Sequence, residues 1–221
     1  MGSIYARDQR FEKSIEMLTE AIQLFKKEKR DSIFVKSYFQ RGFCFYKINK
    51  CQEAVESFNK ALELDPDNEF EQNLNAYEFS ASCWMKLKLK RNALDCFKKA
   101  AALCKDDNER AAKIYSDIGM IYYELDKFKR AISYYDKSIK LASNANHSTI
   151  YSKGLSLYAI GDFINAIVCY ETVKESIPTH YEAISECASC YFSLNDYKTA
   201  IKYFEKAFKL NSDALGPNIH K

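Results

Sequence analysis

The sequence predicts an all-α chain, a solenoid of antiparallel helix pairs, and three observations carry that expectation. The first is a six-fold recurrence of one small–large–small register: Ser14/Leu18/Ala21, Ala54/Phe58/Ala61, Ala93/Phe97/Ala100, Ala131/Tyr135/Ser138, Ala166/Tyr170/Val173 and Ala200/Phe204/Ala207. The first members of these sets lie 40, 39, 38, 35 and 34 residues apart. The second lies twelve residues before each set, where a small residue stands: Gly2, Gly42, Ala81, Gly119, Gly154 and Ala188. Three places further on comes a large one: Tyr5, Phe45, Trp84, Tyr122, Leu157 and Tyr191. The third is composition. Only six Gly and three Pro punctuate 221 residues, which suits long helices joined by tight turns. Small residues let two helix backbones approach, and the large ones fill the space beside them. A single pair cannot bury its apolar faces alone, so copies stack.

The elements follow from these registers. Phe11 to Lys29 reads as the second helix of an incomplete first repeat. Asp31-Ser32 offers an N-cap to a helix running to Ile48, and Cys51 to Leu64 follows until Pro66 stops it. Asn73 to Leu87 and Arg91 to Cys104 make the third pair, and Asp106-Asp107-Asn108 supplies cap and turn chemistry. Ala111 to Leu125 pairs with Phe128 to Ala142. His147 to Ile160, a Gly161-Asp162 turn and Phe163 to Ser176 form the fifth pair. Thr179 to Leu194 and Tyr197 to Leu210 form the sixth. A polar tail, 212–221, carries Gly216-Pro217, and Leu215 and Ile219 are its anchors if it folds back.

A small residue, a large one three on, and then Ala-x3-Phe/Tyr-x2-Ala together resemble the tetratricopeptide repeat family, over nearly the whole chain. The resemblance implies a right-handed superhelical α-solenoid. It would be one array over residues 1–211, with repeats at 1–31 (partial), 35–68, 74–107, 112–145, 147–180 and 181–211. Gly2 would occupy the eighth position of the family's first helix. The chain departs from the family pattern where Arg41, Ser80, Ile118, Lys153 and Cys187 replace a leucine, and in having only Pro66 and Pro178 at repeat ends. The partial first repeat and the lack of a polar capping helix at the far end point to an array cut from a longer one.

In the family, positions 2, 5, 9 and 12 of each first helix face the concave groove. Carried over, they place Phe39, Phe43, Tyr46, Met85, Met120, Tyr123, Tyr151, Leu155, Tyr158 and Phe192 there. Aromatic and Met side chains dominate binding energy at interfaces. The expected function is therefore a non-catalytic protein–protein interaction scaffold or adaptor that holds a helical or extended peptide segment. The opposing expectation is that these rings pack on one another. The turns inside repeats two to four carry a basic edge of Lys47, Lys50, Lys86, Lys88, Lys90, Arg91, Lys127, Lys129 and Arg130. Glu63, Asp65, Asp67, Glu69, Glu71, Asp106, Asp107 and Glu109 form an acidic edge opposite. The basic edge would steer an acidic partner, or serve only as a solvated face.

Other classes find little support. His147, His180 and His220 stand at turns or in the tail, with no metal spacing, phosphate loop or nucleophile elbow, so no enzyme activity, cofactor or metal is expected. The eight Cys fall on packing faces, and Cys187/Cys190 reads as packing rather than a redox pair, which suits an intracellular, cytoplasmic chain. No membrane-length apolar run exists, and Ala6 breaks the myristoylation pattern. A net charge of +3 argues against nucleic acid. The alternatives kept are a helical-repeat RNA-binding protein and a subunit self-associating through its uncapped ends, as a homo-oligomer or part of a larger complex. The chaperone-tail carboxylate clamp needs Lys at position 5 and Asn at 9. Phe39/Phe43 and Ser116/Met120 stand there, so that ligand is not expected.

Overall fold

The computed structural model describes residues 2–25, 31–65, 72–104, 107–144 and 146–215. Helix is the only regular structure among them. Two compact units form, Met1–Lys105 and Asp106–Lys221. The first holds α1 (Gly2–Phe25), α2 (Asp31–Lys47), α3 (Cys51–Glu63), α4 (Asn73–Lys86) and α5 (Lys90–Leu103). The second holds α6 (Asn108–Tyr123), α7 (Phe128–Leu141), α8 (His147–Ala159), α9 (Phe163–Ser176), α10 (Tyr181–Ser193) and α11 (Tyr197–Leu215). Within the units α2/α3, α4/α5, α6/α7, α8/α9 and α10/α11 are the expected hairpins, and α3, α7 and α9 each pack on the first helix that follows.

Each hairpin closes in the same way. Asn49, Lys88, Asp126, Gly161 and Asn195 have φ of 63, 61, 56, 80 and 63°. Each stands five residues before the small residue that opens the next register. Its N–H donates to the carbonyl of Tyr46, Met85, Tyr123, Tyr158 or Phe192, at 2.9–3.1 Å. The next N–H reaches back to the carbonyl of Phe45, Trp84, Tyr122, Leu157 or Tyr191, at 2.9–3.0 Å. This pair of bonds is a Schellman cap, which satisfies the last carbonyls of the first helix while reversing the chain. The following helix starts at once, so the turn has no slack.

The hairpin arms meet at the small residue. A Cβ placed on Gly42 would lie 2.8 Å from the Phe58 ring. On Gly119 it would lie 2.6 Å from the Tyr135 ring, and on Gly154 2.5 Å from that of Tyr170. The three rings are at most 1% exposed and have no room to retreat. Ala54, Ala61, Ala131 and Ala166 are fully buried beside them. Cys187 and Cys190 are also fully buried and unpaired, as a packing role requires. Burial pushes both thiols up, that of Cys190 to about 12, which holds them neutral.

Two elements differ from expectation. In place of a first-helix stub and a turn, α1 is one continuous helix from Gly2. Gln9 stands at the turn position and remains helical, and no Gly or Pro lies between Tyr5 and Phe25 to interrupt it. At the other end α11 runs through Leu215 rather than ending before 212, since Asn211 to Leu215 contains no helix breaker. Ile219 and the Gly216-Pro217 step lie outside the described residues, so the fold-back expected of the tail does too.

Gly119→Ala and Gly154→Ala should destabilise the second unit by roughly 1–3 kcal/mol, overpacking outweighing alanine's better helix propensity. An added Cβ at Gly161 meets nothing within 4 Å. Gly161→Ala should therefore cost only the left-handed backbone penalty of about 1–2 kcal/mol. Urea midpoints for the three variants check the ranking, and equal, negligible shifts would refute the ring-on-glycine account.

Candidate functional site

The first helices carry the expected binding residues, and packing divides them into three groups. One group braces turns. The Tyr123 ring meets Phe128 at 5.5 Å and 62°, Tyr158 meets Phe163 at 5.3 Å and 63°, and Phe192 meets Tyr197 at 5.4 Å and 64°. Each pair joins the last turn of a first helix to the first turn of its partner, edge to face across the Schellman cap. Such a contact contributes about 0.5–1.5 kcal/mol.

The second group fills the first unit. Phe79 of α4 is half-buried and gathers Tyr46, Phe43 and Phe58 at centroid distances of 4.9, 5.5 and 5.9 Å. Phe39 lies behind, its ring tilted at 53° and 5.7 Å from that of Phe58. At 5% exposure Phe39 belongs to the core, which corrects its expected place on an open groove. Phe34 of the same helix is buried as well. The self-packing alternative thus describes the first unit well.

The third group remains accessible in the second unit. Met120 is 42% exposed and Phe192, despite its partner, 58%. Leu155 and Tyr151 are half-buried, as is Met85 in the first unit. Tyr151 lies 5.7 Å from the Tyr170 ring and 5.2 Å from His180. Burial, then the nearby carboxylates of Glu186 and Glu182, pushes its hydroxyl up to about 12. Tyr151, Ser185, Glu182 and Glu186 border a cleft of ≈ 430 Å³ whose other wall is Phe204, Ala207, Phe208 and Asn211 of α11. Burial raises Glu186 above the usual carboxylate range.

The basic residues do sit at the hairpin turns, but several have structural duties. The Lys86 ammonium lies 5.2 Å above the Tyr46 ring and donates to Asn49 Oδ1 at 2.8 Å. Lys47 lies over Phe43 at 4.9 Å, and Arg130 over Tyr122 at 5.7 Å. Lys50 and Lys127 precede α3 and α7 without a side-chain capping bond, and Lys88 is itself the left-handed turn residue. Lys90 opens α5, with Arg91 exposed beside it. Lys127, Lys129 and Arg130 line a smaller cleft of ≈ 290 Å³ with Asp126, Phe128 and Ile160. Of the acidic edge, Asp107 accepts from Arg110 N–H to cap α6, Glu109 accepts from Ser143, and Asp65 accepts from Asn73. Asp67, Glu69, Glu71 and Asp106 lie outside the described residues.

One network escaped the sequence expectations. Glu171 of α9 pairs with Lys174, accepts from the Tyr203 hydroxyl of α11 at 2.7 Å and from the Cys187 thiol of α10 at 3.6 Å. It ties three helices together and fixes α11 against the rest of the unit. Only the register could have signalled it, by placing Glu171 and Cys187 at a helix–helix junction.

The described residues contain no group of three or more His, Cys, Asp or Glu able to hold a metal ion, and no described helix is long and apolar enough to cross a membrane. What the geometry defines is a stack of helical hairpins with apolar side chains open on the second unit. Sequence profiles of the tetratricopeptide repeat match residues 1–67, 112–144 and 182–213, and the chain belongs to that family. Tetratricopeptide repeat proteins are generally protein-interaction scaffolds. The chain is 24% identical to TPR repeat-containing protein MJ1428 of Methanocaldococcus jannaschii, over 92% of its own length. It spans only 36% of that relative. Its fold matches the crystal structure of MamA with a TM-score of 0.73 at 21% identity, over 85% of this chain and 97% of that one. It also matches YrrB, described as a TPR protein with an unusual peptide-binding site, with a TM-score of 0.72 at 21% identity over 91% and 95%.

Burial raises the Glu171 carboxyl, but the bonds from Lys174 and Tyr203 lower it more, leaving it below its ordinary value. A carboxyl depressed in the folded state adds stability that is complete above its unfolded pKa and disappears as pH falls through the lower folded value. Wild type should lose this increment on acidification from about pH 5. Glu171→Gln should lack it at neutral pH, so the gap between their urea midpoints narrows toward pH 3. A gap independent of pH would exclude the network.

Proposed function

We propose that the chain is a non-catalytic scaffold whose second unit binds a helical or extended protein segment on its first-helix face. The observation that carries this reading is the accessibility of Met120 and Phe192, with Leu155 and Tyr151 half-buried between them in sequence. Apolar side chains left open beside polar ones on a repeat surface are the usual mark of an interaction site. Met and aromatic rings also give much contact area for little conformational cost. Tyr123 and Tyr158 contribute as a braced floor, their rings committed to Phe128 and Phe163. Tyr46 and Phe43 instead hold the first unit together around Phe79. Lys127, Lys129 and Arg130 would favour a partner with acidic residues flanking its apolar anchors. The chaperone-tail clamp is not the proposed mode, because Ser116 and Met120 stand where that clamp needs Lys and Asn.

A photo-reactive residue placed at Met120 or Phe192 should cross-link the partner, whereas one at Ile164 of α9, more exposed than either but on a second helix, should not. With the partner identified, Met120→Asp combined with Phe192→Asp should weaken binding about ten-fold or more, the loss of one to two anchor residues. Cross-linking from Ile164 alone would place the site elsewhere.

A further inference from the structure

One row of the second helices is left to solvent. It holds the residues two before, two after and six after the small residue that opens each register, which share a helix face at i, i+4 and i+8. On α1 these are Glu12, Glu16 and Glu20, and on α11 they are Lys198, Lys202 and Lys206. All six side chains are exposed. On α3 and α5 the same row mixes its charges, as Gln52, Glu56 and Lys60 and as Arg91, Asp95 and Lys99, while α7 and α9 carry the uncharged Ser133 and Val168 at its centre. The row is exposed on α3 and α5 as well, so its exposure on α1 and α11 does not come from their places at the two ends of the stack.

Like charges one turn apart destabilise the helix that carries them, and opposite charges at that spacing stabilise it. The stabilising arrangement is used on α3 and α5. Glu56 stands one turn before Lys60 and accepts from Gln52 at 3.3 Å, and Asp95 stands one turn before Lys99. The destabilising arrangement is kept on α1 and α11. Among the described residues of α1, Arg10 and Lys13 oppose the glutamates, but both lie near the start of the row, and Glu20 has no cation one turn away along the helix. On α11, Glu205 stands one turn after Lys202, and Asp196 caps the helix by accepting from the Thr199 N–H. Lys206 has no anion one turn away.

We propose that these two rows join copies of this chain, the glutamates of α1 in one copy facing the lysines of α11 in another. Both surfaces of the contact are present in the structure. They occupy the same register positions, step along their helices by the same rise of about 6 Å per four residues, and carry opposite sign. Each row offsets in the other a repulsion that neither helix relieves by itself. Two α1 rows repel each other, as do two α11 rows, so the contact is heterologous: it closes when both ends pair reciprocally and propagates when they do not. Pairs of exposed charges are weak and screened by salt, so the association is reversible and strongest at low ionic strength. It uses second helices alone, and an assembly of two copies would therefore present two first-helix faces to a partner carrying two segments.

Light scattering of the 221-residue chain tests this. Its average mass should exceed that of one chain at about 20 mM salt and fall to that of one chain by about 0.5 M. Glu12→Lys, Glu16→Lys and Glu20→Lys together should weaken association about ten-fold or more, the loss of three exposed pairs. Lys198→Glu, Lys202→Glu and Lys206→Glu together should do the same. Each triple substitution keeps a row of like charges, so helix content by circular dichroism should not move. The chain with all six substitutions retains the net charge of +3 and again opposes its two rows, with signs exchanged. It should associate as wild type does, which separates row pairing from a general effect of net charge. A wild-type chain that is monomeric at low salt, or associated regardless of salt, overturns the proposal. So does association unaffected by either triple substitution, or a chain with all six that fails to associate.

Discussion

Everything in this fold depends on a ring lying flat where a side chain is missing. Gly42, Gly119 and Gly154 bring the two arms of a hairpin so close that the rings of Phe58, Tyr135 and Tyr170 occupy the space a Cβ would need. The approach fixes the distance between helices, and the distance fixes where the Schellman turn can close. It also fixes what the other side of the ring offers. Phe58 touches Gly42 on one side and Phe79 of the next pair on the other. One aromatic residue therefore joins the hairpin and the stack, and Phe or Tyr stands there in five of the six registers, with Leu18 in the first.

The turns show the same economy. Because the second helix begins immediately after the left-handed residue, the last residue of the first helix and the first residue of the second stand side by side. Rings at both places pair edge to face in three hairpins of the second unit, at nearly the same angle. Position 12 of the first helix thus has two jobs, bracing the turn and presenting an apolar surface. Phe192 shows that they are compatible, since it packs on Tyr197 and remains more than half exposed.

Spacing made the fold legible. Small residues at fixed intervals state where backbones approach, and all five left-handed turn residues stand five places before them. The site was less legible, because exposure depends on neighbours in space. Phe39 and Met120 occupy groove positions in their helices, yet Phe39 is buried by Phe58 and Met120 is open. Nothing local to either residue distinguishes them. The fate of Phe39 was decided by the Phe58 ring of the neighbouring helix, 5.7 Å away. The acidic edge was likewise visible as charge, while the capping duty of Asp107 needed the helix start to be placed to the residue. The continuity of α1 runs against a register that sets a small residue and a large one at Gly2 and Tyr5, because no Gly or Pro between Tyr5 and Phe25 interrupts the helix.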